Sequence, residues 1–523
     1  MALTSEQMEQ AASFMMELLR ELAWIGAESA ANAATADPLG TAAAQLSAAA
    51  AEAAGGAGSA QAPGQAASAA AGAAAGAAAG AAAVPPTAAG AEAVPPAAAG
   101  AGAVPPAASG AASAVEASGT PHAPQGLIGP AGALGVTRLL YDDAWLQAQR
   151  LLERRLAAAG LEPRFDRAGS LFGRLPGTDG GSRVVLTGSH IDTVRRGGHY
   201  DGAYGVAAGI AALAALKRFC GAPRRTLEVV SLCEEEGSRF PLSYWGSGTM
   251  VGRYGLEGAS FYRDPDGETL EQAMLAAGFG RPEQPHPRRD DLDAFVELHV
   301  EQGIVLERSG EPIGVVQAIV GQRRYTFTVA GEANHAGTTP MPLRRDALAG
   351  AAEMALAAER AAVRRGEPMV ATVGRLETEP GTPNVVPGRV RFTLDVRHDE
   401  AEALESFCRE LLEELDGIAA RRGLELQGEL WMDAPPARMD AELADRLVRA
   451  AGRRGLAVRR MASGAGHDAQ LLSEICPAAM LFVPSRAGIS HSPLEFTEEA
   501  QLAGGLAVLI DALYELAYEE RVP

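Results

Sequence analysis

The apolar residues of the first segment of the chain recur at helical spacing. Between residues 4 and 26 they are Met8, Ala11, Ala12, Met15, Leu18, Leu19 and Leu22. Residues three, four and seven positions apart share one face of an α-helix, so this stripe predicts an amphipathic helix. Thr4 or Ser5 would serve as its N-cap.

From residue 27 to residue 125 this pattern disappears. The stretch consists mostly of alanine, glycine and proline, and it repeats a Val-Pro-Pro triplet at Val84, Val94 and Val104. Without large apolar side chains it cannot bury enough surface to offset its ordering entropy. We therefore expect a disordered low-complexity insertion.

Apolar runs and helical stripes alternate after residue 126. Strand-like runs occupy 183–187, 227–233 and 294–300, and helical patterns occupy 142–160 and 205–219. Apolar strands separated by helices are typical of a parallel sheet with right-handed crossovers.

After these strands and helices the pattern changes, and apolar residues occupy every second position in 325–329 and 390–396. Such alternation predicts half-buried antiparallel strands. Helical patterns at 344–365 and 400–423 accompany them. After residue 431 the sequence again shows an apolar strand, at 479–483, followed by a helix, at 498–519.

The sequence therefore predicts an α/β fold. Its mostly parallel-sheet catalytic domain carries an inserted, smaller α+β domain of antiparallel strands and two helices. The predicted ranges are 1–26 for the N-terminal helix, 27–125 for the insertion, 126–317 and 431–523 for the catalytic domain, and 318–430 for the inserted domain.

Composition narrows the function classes. The chain has 45 Lys and Arg against 65 Asp and Glu, a formal net charge of −20. This balance argues against nucleic acid and membrane partners. The four cysteines show no CxxC spacing and are typical of a reducing compartment. The uncharged run 66–84 lacks the large apolar residues of a membrane span, and no secretory signal pattern opens the chain. We expect a cytoplasmic protein.

Imidazoles and carboxylates follow the predicted strands in three places. These are Ser189-His-Ile-Asp-Thr193 with Tyr200-Asp-Gly202, the triplet Glu234-Glu-Glu236, and Glu297-Leu-His-Val-Glu-Gln-Gly303. Open α/β sheets bind their ligands at the carboxyl ends of their strands. Three adjacent carboxylates repel one another unless cations or solvent exposure relieve them. The combination predicts a two-metal hydrolase site.

Each of these residues also has a simpler interpretation. Asp201 alone reads as a turn residue, His299 as a core histidine and His491 as a surface histidine. Asp192 would orient His190 either through its carboxylate or through its backbone.

Two further histidines also allow more than one interpretation. His335 falls in the predicted inserted domain, so it should not be a primary metal ligand. His467, next to Asp468 in a glycine-rich loop, stays open between a site role and a structural one.

These motifs resemble those of the dinuclear-metal aminoacylase and carboxypeptidase families. More narrowly, they resemble the branch of N-carbamoyl-amino-acid hydrolases, ureidopropionases and allantoate amidohydrolases. The resemblance runs from residue 126 to the C-terminus and includes the first helix. Residues 27–125 would then be an insertion ahead of Gly135-Val-Thr-Arg-Leu-Leu140.

The resemblance implies a role for each matching residue. The metal ligands would be His190, Asp201 (bridging), Glu236, His299 and His491. Glu235 would be the general base. The residues on the substrate side would be Gln302, His335, Asn384 and Arg397.

The resemblance also implies that the inserted domain forms a homodimer and a closing lid. His335 would steady the oxyanion, and the resemblance places it in the partner subunit's site of that dimer. Nitrogen and oxygen ligands suit two ions of manganese, zinc or cobalt, and the resemblance favours manganese.

Three segments, Phe240-Pro-Leu-Ser-Tyr-Trp-Gly246, Gly321-Gln-Arg-Arg-Tyr325 and Asn334-His-Ala-Gly-Thr-Thr-Pro-Met341, look most like allantoate amidohydrolase. That enzyme class hydrolyses allantoate to ureidoglycine, ammonia and carbon dioxide. The alternatives are an N-carbamoyl-L-amino-acid hydrolase or β-ureidopropionase and, from another class, a metal-free binding protein on the same fold. In each enzymatic case the partner is a small ureido-carboxylate substrate.

Overall fold

The structure is a computed structural model that describes residues 3–28, 135–180 and 183–520. Apart from its first two positions, the predicted low-complexity insertion lies outside the described residues. The helices are α1 (Ser5–Trp24), α2 (Asp143–Ala158), α3 (Ala203–Cys220), α4 (Trp245–Val251), α5 (Leu270–Ala276), α6 (Val305–Ser309), α7 (Ala347–Arg365), α8 (Ala401–Arg422), α9 (Ala441–Arg453), α10 (Asp468–Leu472) and α11 (Glu499–Ala517).

The strands are β1 (Ala27–Glu28), β2 (Gly135–Val136), β3 (Glu162–Phe165), β4 (Leu171–Leu175), β5 (Val184–His190), β6 (Thr226–Leu232), β7 (Leu292–Val300), β8 (Ile313–Ile319), β9 (Gly321–Ala330), β10 (Asn334–His335), β11 (Val370–Thr372), β12 (Leu376–Glu379), β13 (Val385–Val386), β14 (Arg389–His398), β15 (Glu425–Ala434), β16 (Ala437–Arg438), β17 (Val458–Ser463) and β18 (Ala478–Val483).

The larger sheet has the strand order β16-β8-β18-β7-β5-β6-β4-β3, with β17 beside β8. The central strands β18, β7, β5 and β6 are parallel. Every residue of β5, β6 and β18 is buried, as expected for strands covered on both faces.

The prediction of a mostly parallel sheet is right for this centre and for the pair of β17 with β8, but not for the rest of the sheet. On one side β4 and β3 run antiparallel, and on the other β8 runs antiparallel to β18. The strand–helix–strand alternation in the sequence predicts only parallel strands joined by crossover helices, and these are the middle strands of the sheet. The short flanking strands pair through hairpins and long-range contacts, which leave no such pattern.

Helix α3 lies against the sheet at short range because it is built of alanine and glycine. A Cβ at Gly205 would lie 2.4 Å from the carbonyl oxygen of Leu298, and one at Gly209 would lie 2.7 Å from Val229. Helices α1 and α11 pack on α3. Helices α3 and α11 are apolar enough to pass for membrane spans by composition, but most of each is buried in this fold.

Helix α1 confirms the predicted N-terminal helix, and Thr4 is its N-cap. The Thr4 hydroxyl accepts from the Gln7 N–H, and the Gln7 side chain accepts from the Thr4 N–H. After α1, strand β1 pairs antiparallel with β2, so that Ala27 lies opposite Val136. The chain therefore leaves the described fold at residue 28 and re-enters it at residue 135 from adjacent positions.

A second, antiparallel sheet has the order β11-β14-β9-β15, with β12 also paired to β14. Its apolar face packs with α7 and α8 into a core of its own. The strands β9 and β14 and the two helices match the predicted elements, whereas the equally long strand β15 was not predicted. The short strands β11 and β12 lacked a detectable pattern. The domain ranges, and the dimerisation and lid roles of this part, remain predictions.

One buried carboxylate joins several elements of the larger sheet. Glu228 on β6 is fully buried and accepts from Arg164 at 3.0 Å, Arg174 at 2.8 Å and Arg289 at 2.9 Å. Burial alone would raise the pKa of Glu228, but Arg289 and Arg164 outweigh it and lower the pKa. The carboxylate therefore holds β3, β4 and the segment before β7 together.

We expect Glu228→Gln to destabilise the fold, because three guanidinium groups lose this charged partner and only Arg289 keeps another, Asp291. Breaking a buried ion pair costs about 3–5 kcal/mol. In Glu153→Gln, the matched control at the exposed Arg150–Glu153 pair, the loss should stay below about 1 kcal/mol. Urea unfolding measures both.

The same ion cluster predicts a pH dependence. Because the folded pKa of Glu228 is lowered, its stabilisation is complete above the unfolded pKa and is lost as the pH falls through the folded value. The difference in unfolding free energy between the wild type and Glu228→Gln should therefore shrink as the pH falls. Equal unfolding midpoints at neutral pH would contradict the assignment.

Candidate metal centre

The five predicted metal ligands lie together at the carboxyl ends of the central parallel strands. His190 ends β5, Glu236 follows β6 and His299 is the penultimate residue of β7. Asp201 lies just before α3, and His491 lies in the loop between β18 and α11. Parallel strands place their carboxyl ends at one edge, which is why residues distant in sequence meet here.

Asp201 stands between two groups of side chains. Its Oδ1 lies 3.7 Å from His190 Nε2 and 3.2 Å from His299 Nε2. Its Oδ2 lies 3.2 Å from His491 Nε2, which in turn is 3.5 Å from Glu236 Oε2. In each group the candidate ligand atoms all lie within 4.8 Å of one another. This arrangement has the form of two metal positions that share one carboxylate.

Backbone carbonyls orient the two buried imidazoles. His190 Nδ1 lies 3.0 Å from the carbonyl oxygen of Asp192, and His299 Nδ1 lies 2.8 Å from that of Val300. A carbonyl only accepts, so each Nδ1 carries a hydrogen and each Nε2 faces Asp201. Asp192 therefore orients His190 through its backbone carbonyl. The Asp192 carboxylate Oδ1 is 3.8 Å from His190 Nδ1, too far for a hydrogen bond.

Gly202 makes room for this geometry. It has a φ of +61°, and a Cβ there would lie 2.5 Å from the His190 ring. Any larger residue after Asp201 would displace a ligand. This explains the glycine in the Tyr-Asp-Gly motif.

Asp201 and its imidazole neighbours compensate one another electrostatically. Burial alone would raise the pKa of Asp201, but hydrogen bonds with His299 and His491 lower it well below its usual range. The hydrogen bond with Asp201 raises the pKa of His491 to about 9. Burial lowers the pKa of His299, yet Asp201 outweighs it and raises that value to about 9. The two imidazoles and the central carboxylate therefore stabilise one another's charged forms.

The glutamate triplet is buried, so exposure does not relieve its charge. Burial raises the pKa of Glu234, Glu235 and Glu236 well above the usual range, and neighbouring carboxylates raise each one further. Glu236 Oε1 and Asp192 Oδ1 are buried without a hydrogen-bond partner. Unpaired buried carboxylate oxygens beside two correctly oriented imidazoles are a donor set that fits divalent cations.

A cleft of about 450 Å³ opens above these residues. Its floor includes the five candidate ligands and Glu235, whose Oε2 lies 3.8 Å from His190 Nε2. Its opposite wall comes from the antiparallel sheet. A larger cavity of about 930 Å³, lined by Arg183 and Leu292 among others, lies at the other end of the parallel strands. None of the candidate ligands lines this larger cavity, so the smaller cleft is the candidate active site.

Two of the predicted substrate residues line this cleft, but both are already hydrogen-bonded. The Gln302 amide donates to Asp201 Oδ2 at 3.0 Å and to Ser490 Oγ at 3.1 Å. Arg397 donates from Nε and Nη2 to the Asp395 carboxylate at 2.9 and 3.1 Å. Its Nη1 donates to the carbonyl oxygen of Gly464 at 2.8 Å.

The other two, His335 and Asn384, are exposed and do not line the cleft of their own chain. His335 pairs with Val385 in the β10–β13 ladder, and Asn384 lies immediately before β13, where its carbonyl accepts from the Ala336 N–H at 3.0 Å. His335 Nδ1 accepts from the N–H groups of Gly337 and Thr338 at 3.0 and 3.2 Å. An accepting Nδ1 leaves the hydrogen on Nε2, which is therefore a donor.

Sequence reasoning missed two residues at this site, Arg324 and Glu495, and left the role of a third, His467, open. Arg324 lies over the Trp431 ring at 5.6 Å and lines the cleft. His467 packs edge-on against His299 with ring centroids 4.7 Å apart. Glu495 hydrogen-bonds the backbone at Asp201. Only Arg324 lay in a quoted motif. The other two become recognisable only once the loops are folded together.

The chain matches the peptidase family M20/M25/M40 over residues 186–515. It is 47% identical over 384 residues to the allantoate amidohydrolase of Bacillus subtilis (strain 168), covering 73% of this chain and 93% of that protein. It is 38% identical over 397 residues to the N-carbamoyl-L-amino acid amidohydrolase of Geobacillus stearothermophilus, covering 76% and 97%.

Similarity extends to solved structures. An amidase of the hydantoinase/carbamoylase family from Burkholderia multivorans superposes with a TM-score of 0.71 at 37% identity. The superposition covers 74% of this chain and 93% of that one.

The shared carboxylate predicts unequal effects of two substitutions on metal binding. Asp201→Ala should abolish binding at both positions, because both groups use this residue. His491→Ala should weaken only one position, because the group of His190, Asp201 and His299 stays intact. Elemental analysis after dialysis against Mn²⁺ gives the ions per subunit. Full occupancy in the Asp201 variant would contradict the bridging role.

Proposed function

The chain belongs to the peptidase family M20/M25/M40, and we propose that it is a metal-dependent amidohydrolase that cleaves a ureido C–N bond of allantoate. The products would be ureidoglycine, ammonia and carbon dioxide. The observation that carries this proposal is the pair of ligand groups sharing Asp201 beside Glu235, in a cleft walled by arginines. The names of its relatives at 47% and 38% identity support the same class of reaction.

His190, His299 and Asp201 would hold one divalent ion, and Asp201, Glu236 and His491 would hold the other. Manganese is the first choice, and zinc or cobalt also suits these ligands. Such a pair of ions lowers the pKa of a shared water and polarises the substrate carbonyl. The protein supplies the orientation, since backbone carbonyls fix the two buried imidazoles.

Glu235 is proposed as the general base and then the general acid. It lies on the cleft floor and is 9% exposed, so it reaches the cleft while being shielded from bulk water. Its carboxylate would accept a proton from the attacking water and pass it to the leaving nitrogen. Burial and the neighbouring Glu236 both raise its pKa, which favours holding that proton between the two steps.

Arg397 and Arg324 are proposed to bind the anionic end of the substrate. Both donate to Asp395, which holds the two guanidinium groups side by side on the cleft wall. A planar guanidinium matches a carboxylate through paired N–H donors. The Gln302 amide, close to Asp201, would contact the substrate between this wall and the floor.

His335 and Asn384 are proposed to act in the cleft of a partner subunit, as part of a homodimer. The support is their exposure on the β10–β13 ladder together with the Nε2–H of His335, a donor suited to a developing oxyanion. Closure of the antiparallel sheet over the cleft would bring such donors to the substrate. The buried thiols Cys233, Cys408 and Cys476 support a cytoplasmic location.

The second candidate is an N-carbamoyl-L-amino-acid hydrolase, favoured by the relative at 38% identity. We expect the Mn²⁺-loaded enzyme to release ammonia faster from allantoate than from a panel of N-carbamoyl-L-amino acids or N-carbamoyl-β-alanine. Chelation should abolish turnover, and Mn²⁺ should restore it. A preference for a carbamoyl amino acid would replace the substrate, whereas activity that survives complete metal removal would refute the reaction class.

Shared active sites predict complementation between two inactive variants. Glu235→Gln should be inactive while retaining metal, and His335→Ala should lose about 10²–10³-fold in kcat. A heterodimer of the two, purified through different tags, contains one intact site if His335 acts in the partner. It should recover about half of the wild-type rate. No recovery in a verified heterodimer would mean that His335 acts within its own chain.

A further inference from the structure

Glu495 is a buried carboxylate that contacts two of the loops carrying candidate metal ligands. It is 3% exposed and lies four residues after His491. One oxygen, Oε1, accepts from the N–H groups of Tyr200 and Asp201 at 2.8 and 3.1 Å. The other, Oε2, accepts from the Ser490 hydroxyl at 3.0 Å. The side chain thus joins the loop of Asp201 to the loop of His491.

Ser490 extends this connection to the metal-facing atoms. Its hydroxyl donates to Glu495 and accepts from the Gln302 amide at 3.1 Å. The same Gln302 amide donates to Asp201 Oδ2 at 3.0 Å. Both the backbone and the carboxylate of Asp201 are therefore restrained by hydrogen bonds that lead to Glu495.

The loop of His491 requires such a restraint. Ala487 and His491 have φ values of 54° and 53°, in the left-handed region. A non-glycine residue in that region is strained and persists only when its surroundings fix it. The hydrogen bonds of Ser490 and Glu495 supply contacts that fix this loop.

The chain also leaves space for the Glu495 carboxylate. A Cβ at Gly198 would lie 2.2 Å from both Cδ and Oε1 of Glu495. Gly198 lies three residues before Asp201, so only a residue without a side chain lets the carboxylate reach the two N–H groups. This close approach offers a way to displace the carboxylate without removing it.

We propose that Glu495 is a positioning residue that sets the spacing between Asp201 and His491 and thereby the affinity of the Glu236–His491 metal position. The proposal rests on the dinuclear centre of the proposed function. Glu495 reaches no candidate ligand side chain directly. It acts through the Asp201 backbone and through Ser490.

The test compares Glu495→Ala, Glu495→Gln and Gly198→Ala in the full chain. Apoprotein is titrated with Co²⁺, and visible absorption reports each ion as it binds. Loss of an outer hydrogen-bond partner typically weakens metal binding by about 10–100-fold. We expect that loss for one ion in Glu495→Ala, with the other ion bound as in the wild type.

Glu495→Gln should restore most of the affinity. Its carbonyl still accepts from both N–H groups, and its amide can donate to the Ser490 hydroxyl. Gly198→Ala should resemble Glu495→Ala, because the added methyl displaces the carboxylate. The control, Glu499→Ala, removes an exposed charge nearby that pairs with Arg20 and should bind both ions normally.

Thermal unfolding of the metal-free proteins separates positioning from general destabilisation. If Glu495→Ala does not fold, the paired result of Gly198→Ala and Glu495→Gln decides. Native affinity for both ions in a folded Glu495→Ala, or in Gly198→Ala, would overturn the proposal. If the wild type itself binds fewer than two ions, the dinuclear centre fails, which is a different outcome.

Discussion

The rest of the site depends on the repulsion among carboxylates buried at one end of the larger sheet. Asp201, Glu234, Glu235 and Glu297 are buried, and the Glu236 side chain is only 7% exposed, so that like charges there are strongly unfavourable. The chain relieves part of this repulsion with imidazoles and backbone N–H groups. Glu297, for example, accepts from the Ser189 hydroxyl and the Ala469 N–H. Among the carboxylates left with an unpaired oxygen, Glu236 lines the cleft, where a cation would complete the balance.

The two sheets divide the chemistry between them. The parallel strands supply a rigid floor, since their ends are buried and their ligands are fixed by backbone carbonyls. The antiparallel sheet supplies the arginine wall. Arg397 connects the two, because it binds Asp395 on its own strand and the carbonyl of Gly464 in the loop after β17. A substrate carboxylate would compete for these same donors, which couples substrate binding to the relative position of the sheets.

Much of the fold and site followed from local patterns. Period-two alternation located β9 and β14, and continuous apolar runs located β5, β6 and β7, because each reports which faces of a strand are buried. The resemblance selected the five ligands, and the structure brings all five together. Patterns failed for the antiparallel flanks of the larger sheet, for β15, whose residues are exposed or half-buried and show no alternation, and for the short strands β11 and β12. A strand of three or four residues is too short to show a period.

What the sequence determined by itself is the set of chemical groups and the strands that carry them. Histidines and carboxylates placed just after apolar runs must gather at one sheet edge if those runs are parallel. Only the tertiary structure decided how each group is used. It turned Asp192 into a backbone acceptor, directed Gln302 toward Asp201, and kept His335 away from its own cleft. It also brought Glu495 against the Asp201 backbone, 294 positions away. Such contacts depend on distances between loops, and neighbouring residues along the chain do not encode those distances.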